Sequence, residues 1–250
     1  MPRFGHDSTR GCGEPSALGE VCAQRRMGFQ EGATKAMRRT LLALALFLPL
    51  FAGPAAAQSN RVPNLIVLDA QSAAREGDFP LAIQLYTEAI GTGELKPFML
   101  VAAYNGRGLV YYRMGQYTVA IEDYSRALGI EPDNDTVLRN RCFAFIELRE
   151  WGYALDDCLA SAAAAPGDPQ GPDTVGYLYY RQGLYPQALD QFNLSIQMKP
   201  TFGPAYMHRG MTYDKLGNRE AARADLLKAQ ELLPNNPEVQ AQMRRMGLVP

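Results

Sequence analysis

The chain has few of the residues on which catalytic and metal sites are usually built. Only two of its 250 residues are histidine, and only His208 lies after residue 57. A catalytic triad would therefore have one possible histidine base there, and a metal site with two histidines cannot form. The sequence also has no C-x-x-C pair, no P-loop and no G-x-G-x-x-G after a strand. We therefore expect no enzymatic activity, no cofactor and no metal.

The chain also lacks an excess of charge of either sign. It contains 25 Lys and Arg against 26 Asp and Glu, a net charge of −1. This balance provides no electrostatic reason to expect a nucleic acid as the main partner. A hydrophobic share of 47% excludes a chain that is largely disordered. We therefore expect a folded protein whose main partner is not a nucleic acid.

Near the N-terminus the apolar residues are concentrated in one short run at 41–51. Two arginines precede this run, and an A-x-A pattern ending at Ala57 follows it. This order is typical of a secretory signal peptide, which we place at residues 37–57. The run is shorter than the roughly 20 apolar residues of a membrane span, so we expect cleavage rather than a stable membrane anchor. The mature protein would begin at Gln58 and would be periplasmic or secreted.

Residues 1–36 show neither helical nor strand periodicity and precede the export signal. Export signals lie at the N-terminus of a chain, so this segment is unexpected. We interpret residues 1–36 as a mis-assigned or disordered extension, with translation starting at Met37. If the signal is not used, the protein would be cytosolic.

A sequence pattern recurs every 34 residues in the chain after residue 100. Each unit has a small residue, then an aromatic residue, then a short turn, then an alanine, and finally a proline near its end. The alanines are Ala120, Ala154, Ala188 and Ala222, and the prolines are Pro132, Pro166, Pro200 and Pro234. Such a fixed period is typical of a repeat architecture.

Within one unit the apolar residues have helical spacing. They recur at intervals of three and four residues over 101–114 and again over 118–130. Gly115 and Pro132 are suitable ends for the two helices. Each unit is thus predicted to be a helical hairpin whose apolar side is buried by stacking on its neighbours.

The pattern resembles the tetratricopeptide repeat over about residues 63–236. The resemblance implies an all-α, right-handed solenoid of about five hairpins and a capping helix. The assigned units are 101–134, 135–168, 169–202 and 203–236, with the cap at 237–250. A further unit at 63–100 also matches the repeat pattern. It contains four more residues than the regular repeat length. We interpret it as a degenerate first repeat whose four extra residues, 97–100, lie in the connection.

Three arginines are each followed by an aspartate 16 residues later in the chain. The pairs are Arg107 with Asp123, Arg141 with Asp157, and Arg209 with Asp225. The repeat with Val175 in place of the arginine also lacks the aspartate. In an antiparallel hairpin the two positions face each other, so we predict three ion pairs that fix the hairpin register. The alternative is six independently solvated charges.

Cys142 and Cys158 have the same separation as these arginines and aspartates, and they are the only cysteines after residue 57. In an oxidising compartment they could form a disulfide bond between the two helices of one repeat. The alternative is a pair of small buried thiols at a close helix crossing. The sequence leaves both interpretations open.

In tetratricopeptide proteins the first helix of each hairpin lines an inner groove, which usually holds an extended peptide or a partner helix. The resemblance therefore implies a partner-binding surface. Its residues would be Leu109, Tyr112, Arg113, Arg139, Asn140, Phe143, Tyr177, Tyr180, Arg181, His208 and Met211. Arg139 and Asn140 would be the polar anchor for a peptide, although some of these residues could instead pack against neighbouring hairpins. The Lys/Asn clamp of cytosolic co-chaperones is not evident, because Asn105 and Leu109 occupy its places.

These observations together favour a non-catalytic scaffold or adaptor of the cell envelope. It would bind a peptide or helix of another protein in its concave groove. One alternative is a structural subunit of an envelope assembly. Another is a cytosolic co-chaperone, which requires that the signal at 37–57 is not used.

Overall fold

A computed structural model of the chain describes residues 62–248, which form eleven α-helices and no β-strand within that range. The helices are α1 Pro63–Glu76, α2 Phe79–Gly91, α3 Pro97–Arg113, α4 Tyr117–Leu128, α5 Asp135–Leu148, α6 Trp151–Ala164, α7 Gln170–Gln182, α8 Tyr185–Met198, α9 Gly203–Lys215, α10 Arg219–Leu232 and α11 Pro237–Arg245. The prediction of an all-α fold is confirmed.

The helices pack as five successive hairpins, α1–α2 to α9–α10, and α11 packs against α10. Each second helix also contacts the first helix of the next hairpin. First helices of successive hairpins contact one another, whereas second helices have no comparable contact among residues 62–248. The first helices therefore lie on the inner side of a curved solenoid, and their exposed sides form what we call the inner surface.

The turn within each hairpin requires a residue in the left-handed backbone region. Gly77, Gly115, Gly183 and Gly217 occupy this position in four hairpins, with φ between 75° and 86°. Glycine suits the position because it has no Cβ. The hairpin of α5 and α6 has Arg149 there instead, at φ 60°.

Small residues allow the two helices of a hairpin to approach closely. The recurring alanines Ala120, Ala154, Ala188 and Ala222 are completely buried. A Cβ added to Gly108 would lie 2.8 Å from Cε1 of Tyr124, and one added to Gly176 would lie 2.6 Å from Cε1 of Phe192. Both rings are completely buried. The alternation of small and large residues in the sequence therefore reflects close packing between the two helices of each hairpin.

The four extra residues of the first unit do not lie in the connection, which corrects our expectation. Residues 97–100 form the first turn of α3, which has 17 residues where the first helices of the later hairpins have 13 or 14. Four residues add about one helical turn, so the remaining residues of α3 keep nearly the same face toward the core. Pro97 at the start of the helix suits this position, since its missing N–H has no partner there in any case.

The predictions for residues 1–57 lie outside the described residues. Among residues 62–248, no helix is both long enough and apolar enough to cross a membrane.

Candidate functional site on the inner surface

Each of the three predicted arginine–aspartate pairs is present as a two-bond interaction between the helices of one hairpin. Nε and Nη2 of Arg107 donate to the two carboxylate oxygens of Asp123 at 2.7 and 2.8 Å. Arg141 with Asp157 and Arg209 with Asp225 have the same geometry and the same distances. Only 1% of the Asp123 side chain is exposed. These residues fix hairpin geometry, and little of their charge is available to a partner.

The same arginines also bind the preceding hairpin, which the sequence analysis did not foresee. Their Nη1 atoms donate to Thr87 Oγ1 at 2.9 Å, to Ser125 Oγ at 3.1 Å and to Asn193 Oδ1 at 2.6 Å, respectively. Where the arginine is replaced by Val175, the equivalent position of the preceding hairpin is the exposed Leu159. The sequence does contain a signal for this contact. A polar residue (Thr87, Ser125 or Asn193) is present in one hairpin only where the next hairpin carries the arginine.

Cys142 and Cys158 are bonded to each other, with their Cα atoms 5.5 Å apart. The bond joins α5 to α6 in the central hairpin. In the second, fourth and fifth repeats the same two places hold a glycine and a large residue, such as Gly108 with Tyr124 and Gly176 with Phe192. The two sulfur atoms therefore occupy the space that a large side chain fills in those repeats.

Aromatic and charged residues from three first helices meet on the inner surface in what we call the aromatic–ionic cluster: Tyr112, Phe143, Glu147, Tyr177 and Arg181. The Phe143 and Tyr177 rings meet edge to face at 5.8 Å. Arg181 donates from Nη1 and Nη2 to the two oxygens of Glu147 at 2.6 and 3.1 Å. It also donates to the Tyr177 hydroxyl at 3.0 Å. The cluster thus connects α5 and α7 and gives the middle of the inner surface an aromatic character.

Burial raises the pKa of the tyrosines in this cluster above the ordinary value. It raises the pKa of Tyr112, and the nearby Glu147 raises it further. Burial also raises the pKa of Tyr177, although its bond with Arg181 acts in the opposite direction. Both phenols therefore remain neutral at physiological pH. The cluster extends along α7, because the Tyr180 ring lies 6.2 Å from Tyr177 and 6.0 Å from Tyr185.

Arg139 and Asn140, the expected polar anchor, both have partners within the chain. The Asn140 side chain donates to Oδ1 of Asn105 at 2.9 Å and so connects α5 with α3. Arg139 is 3.4 Å from Asp135 and only 15% of its side chain is exposed. Asn140 therefore holds two hairpins together, whereas Arg139 is paired within α5, and a partner would have to compete for both groups.

His208 and Met211, also expected to bind a partner, lie in the junction between α7 and α9. Nδ1 of His208 is 2.9 Å from Oδ1 of Asp173, and its ring lies 5.1 Å from Tyr177 and 5.6 Å from Phe192. Burial lowers the pKa of His208, but the charge and hydrogen bond of Asp173 outweigh burial, so the pKa is raised. Met211 is 7% exposed and belongs to the core.

An open cavity of about 330 Å³ lies on the inner surface between α1 and α3. Leu109 and Arg113 from the predicted surface line it, together with Gln71, Arg75 and Asn105. Its inner wall includes Tyr86, which is buried and whose pKa burial raises to about 12. Gln71 and Arg75 were missed because the surface was assigned only from residue 101 onward.

One repeat position forms a charged column along the inner surface. It is occupied by Arg75, Arg113, Glu147, Arg181 and Lys215, which follow one another at the spacing of the repeat units. Glu147 is paired with Arg181 in the middle. Positive charge therefore remains at both ends of the column, at Arg75 and Arg113 on one side and Lys215 on the other.

Three residues that hold successive hairpins together were not among the predicted ones: Asn105, Glu147 and Asp173. Their partners are 35, 34 and 35 residues later in the sequence. A search for complementary side chains one repeat apart would have found them. Within 62–248 no three His, Cys, Asp or Glu side chains are grouped so that they could hold a metal ion.

The described residues define a helical-repeat scaffold with an aromatic inner surface. Family models of the tetratricopeptide repeat match residues 101–134 and 203–236, the second and fifth units assigned from the sequence. The chain therefore contains tetratricopeptide repeats at these two places. Tetratricopeptide repeats serve as scaffolds for interactions between proteins, which supports a protein partner.

Relatives and solved structures are similar over the repeat region. RNA polymerase II-associated protein 3 of Mus musculus is 26% identical over 141 residues, which are 56% of this chain and 16% of that protein. The DnaJ homolog subfamily C member 7 homolog of Dictyostelium discoideum is 22% identical over 199 residues, 75% of this chain and 31% of that protein. The chain thus spans less than a third of the length of these relatives.

Two solved structures share the fold. TTC0263, a thermophilic TPR protein of Thermus thermophilus, has a TM-score of 0.64 at 16% identity and covers 75% of this chain and 100% of that one. MamA 41-end from Desulfovibrio magneticus RS-1 has a TM-score of 0.55 at 17% identity, with 70% and 97% covered.

Proposed function

We propose that the protein is a non-catalytic adaptor of the cell envelope that binds a peptide or helical segment of another protein on its inner surface. The observation that carries this proposal is the open cavity of about 330 Å³ between α1 and α3. Its volume suits one or two side chains of a bound segment. The partly exposed side chains of the aromatic–ionic cluster lie on the same side of the solenoid.

The cavity offers both an apolar wall and cations at its rim. Leu109 and Tyr86 supply apolar area, while the exposed Arg75 and Arg113 stand at its rim. Nη1 of Arg113 donates a hydrogen bond to the carbonyl oxygen of Ala74 at 3.4 Å. Because a guanidinium has five N–H donors, Arg113 retains donors for a ligand. Aromatic residues beside arginines are enriched at protein interfaces. The aromatic–ionic cluster would then contact the segment where it continues toward α7.

An experiment with a library of displayed random peptides tests the groove. A peptide selected on the wild-type protein is labelled, and its affinity is measured by fluorescence anisotropy. Leu109→Glu and Arg113→Gln should each weaken binding roughly tenfold or more, because each removes one group at the cavity. Val119→Ser, at an exposed position on α4, serves as the control and should leave the affinity unchanged.

Thermal unfolding of each variant shows whether the fold is retained. If selection yields no peptide whose affinity depends on Leu109 or Arg113, the inner surface is not the docking site.

Export is a separate part of the proposal. It is supported by the signal-like pattern at 37–57 and by the bond between Cys142 and Cys158, since disulfides persist mainly in oxidising compartments. Cell fractionation with N-terminal sequencing tests it, and a mature terminus at Gln58 is expected. Protein retained in the cytosol with residues 37–57 intact would overturn the location, whereas the groove would be unaffected.

A further inference from the structure

A second open site lies at the C-terminal end of the solenoid. It is a cleft of about 480 Å³ between the turn that joins α9 to α10 and the end of α11. We call it the basic cleft, because it is lined by Lys215, Arg219, Arg223 and Arg245 with Asp214 as the single carboxylate.

Most of this positive charge is unpaired. Nη2 of Arg245 donates to Oδ2 of Asp214 at 3.0 Å. Lys215, Arg219 and Arg223 are exposed and form no ion pair with any residue of 62–248. The chain as a whole has a net charge of −1, so this concentration of cations is local. An unneutralised cluster of this kind attracts an anionic ligand.

The basic cleft also has an apolar side. Met246 and Leu248 line it and are only partly buried. Both pack, like Tyr180, against the core formed by α9, α10 and α11. Burial raises the pKa of Tyr180, and Arg245 is near enough to act against that rise. The cleft therefore adjoins the aromatic residues of α7, and a chain bound there could combine charged and apolar contacts.

We propose that the basic cleft binds an acidic segment of a partner protein. Aspartate or glutamate carboxylates of the segment would pair with Lys215, Arg219 and Arg223, while a neighbouring apolar side chain would pack on Met246 and Leu248. Charge complementarity and the apolar wall favour a peptide over a free anion. This site is separate from the cavity at α1 and α3, so it stands whether or not the inner surface binds a peptide.

The probe is a short fluorescent peptide rich in glutamate and leucine, with a twin in which every glutamate is replaced by glutamine. The full chain should bind the glutamate peptide at least tenfold more tightly than the twin, and added salt should weaken that binding. The double variant Arg219→Gln/Arg223→Gln should reduce the affinity about tenfold or more. Arg244→Gln is the matched control, since Arg244 is exposed on α11 and does not line the cleft.

Several outcomes would overturn the proposal. One is equal binding of the two peptides, and another is unchanged affinity in the double variant, with circular dichroism showing a retained fold. A third is binding to phosphatidylserine vesicles that depends on Arg219 and Arg223 while the peptide is not bound, which would make the ligand a membrane surface. Leu109→Glu should leave binding of the glutamate peptide unchanged, so failure at this cleft is distinguishable from failure at the groove.

Discussion

Arg149 occupies the hairpin position at which the other four hairpins have glycine. It is the one non-glycine residue of 62–248 with positive φ, at 60°. The left-handed conformation costs a residue with a Cβ about 1–2 kcal/mol. Replacing that residue by glycine recovers only part of this free energy, because glycine loses more conformational freedom on folding. The strain at this turn is local, since the backbone hydrogen bond from Glu150 to the carbonyl of Phe145 is still formed.

We expect Arg149→Gly to stabilise the protein by roughly 0.5–1 kcal/mol, because it relieves the strain at this turn. Urea unfolding followed by circular dichroism measures the change. Arg149→Ala is the control, since it removes the same side chain and keeps the Cβ. A gain of the same size in the alanine variant would contradict the explanation by backbone strain.

At the scale of helices, the junction between α7 and α9 depends on one pair of ionisable side chains. The side chains of His208 and Asp173 are only 13% and 10% exposed, and Glu238 of α11 adds to the negative field around the histidine. The folded protein therefore holds a proton on His208 more tightly than the unfolded chain does. The interaction stabilises the fold below the ordinary histidine pKa, about 6.5, and is lost as the pH rises through the raised value.

We therefore predict that the free energy of unfolding decreases as the pH rises from about 6 to 8, by about 1.4 kcal/mol for each unit by which the pKa is raised. Urea unfolding over this range measures the slope. Asp173→Asn removes the charge that raises the pKa and should flatten the slope, and His208→Gln should abolish this contribution. If Asp173→Asn keeps the wild-type slope, another group is responsible for the dependence.

At the scale of the whole molecule, stability depends on each hairpin and on its contacts with its neighbours. The disulfide lies in the third of the five hairpins, so it holds together the unit that connects the two ends of the solenoid. Loss of this hairpin would interrupt the stacking on both sides. The effect of reduction should therefore appear in the unfolding of the entire chain rather than in one end only.

Reduction should lower the free energy of unfolding by about 3 kcal/mol, the contribution expected for a closed loop of about this length. The variant Cys142→Gly/Cys158→Phe is the matched comparison, because it reproduces the pairing of Gly176 with Phe192 without a bond. Its stability should not respond to reductant. Two titratable thiols in denatured protein from an oxidising compartment would show that the bond is absent there.

The repeat is evident from the amino-acid sequence alone, because a hairpin of this kind buries its apolar side only against similar neighbours and so imposes the same pattern on each unit. The pairing of Arg107 with Asp123 could likewise be predicted, since both residues belong to one hairpin. The added helical turn at 97–100 could not be predicted from the sequence, because an extra helical turn and a longer loop differ little in composition.

Which groups of the inner surface are available to a partner depends on how the hairpins stack in three dimensions. Asn140, Arg181 and His208 have partners one repeat away, and whether side chains at that distance meet depends on how the hairpins stack. The cavity at Leu109 and the basic cleft at Arg219 likewise arise between elements, where packing leaves space that no single segment specifies.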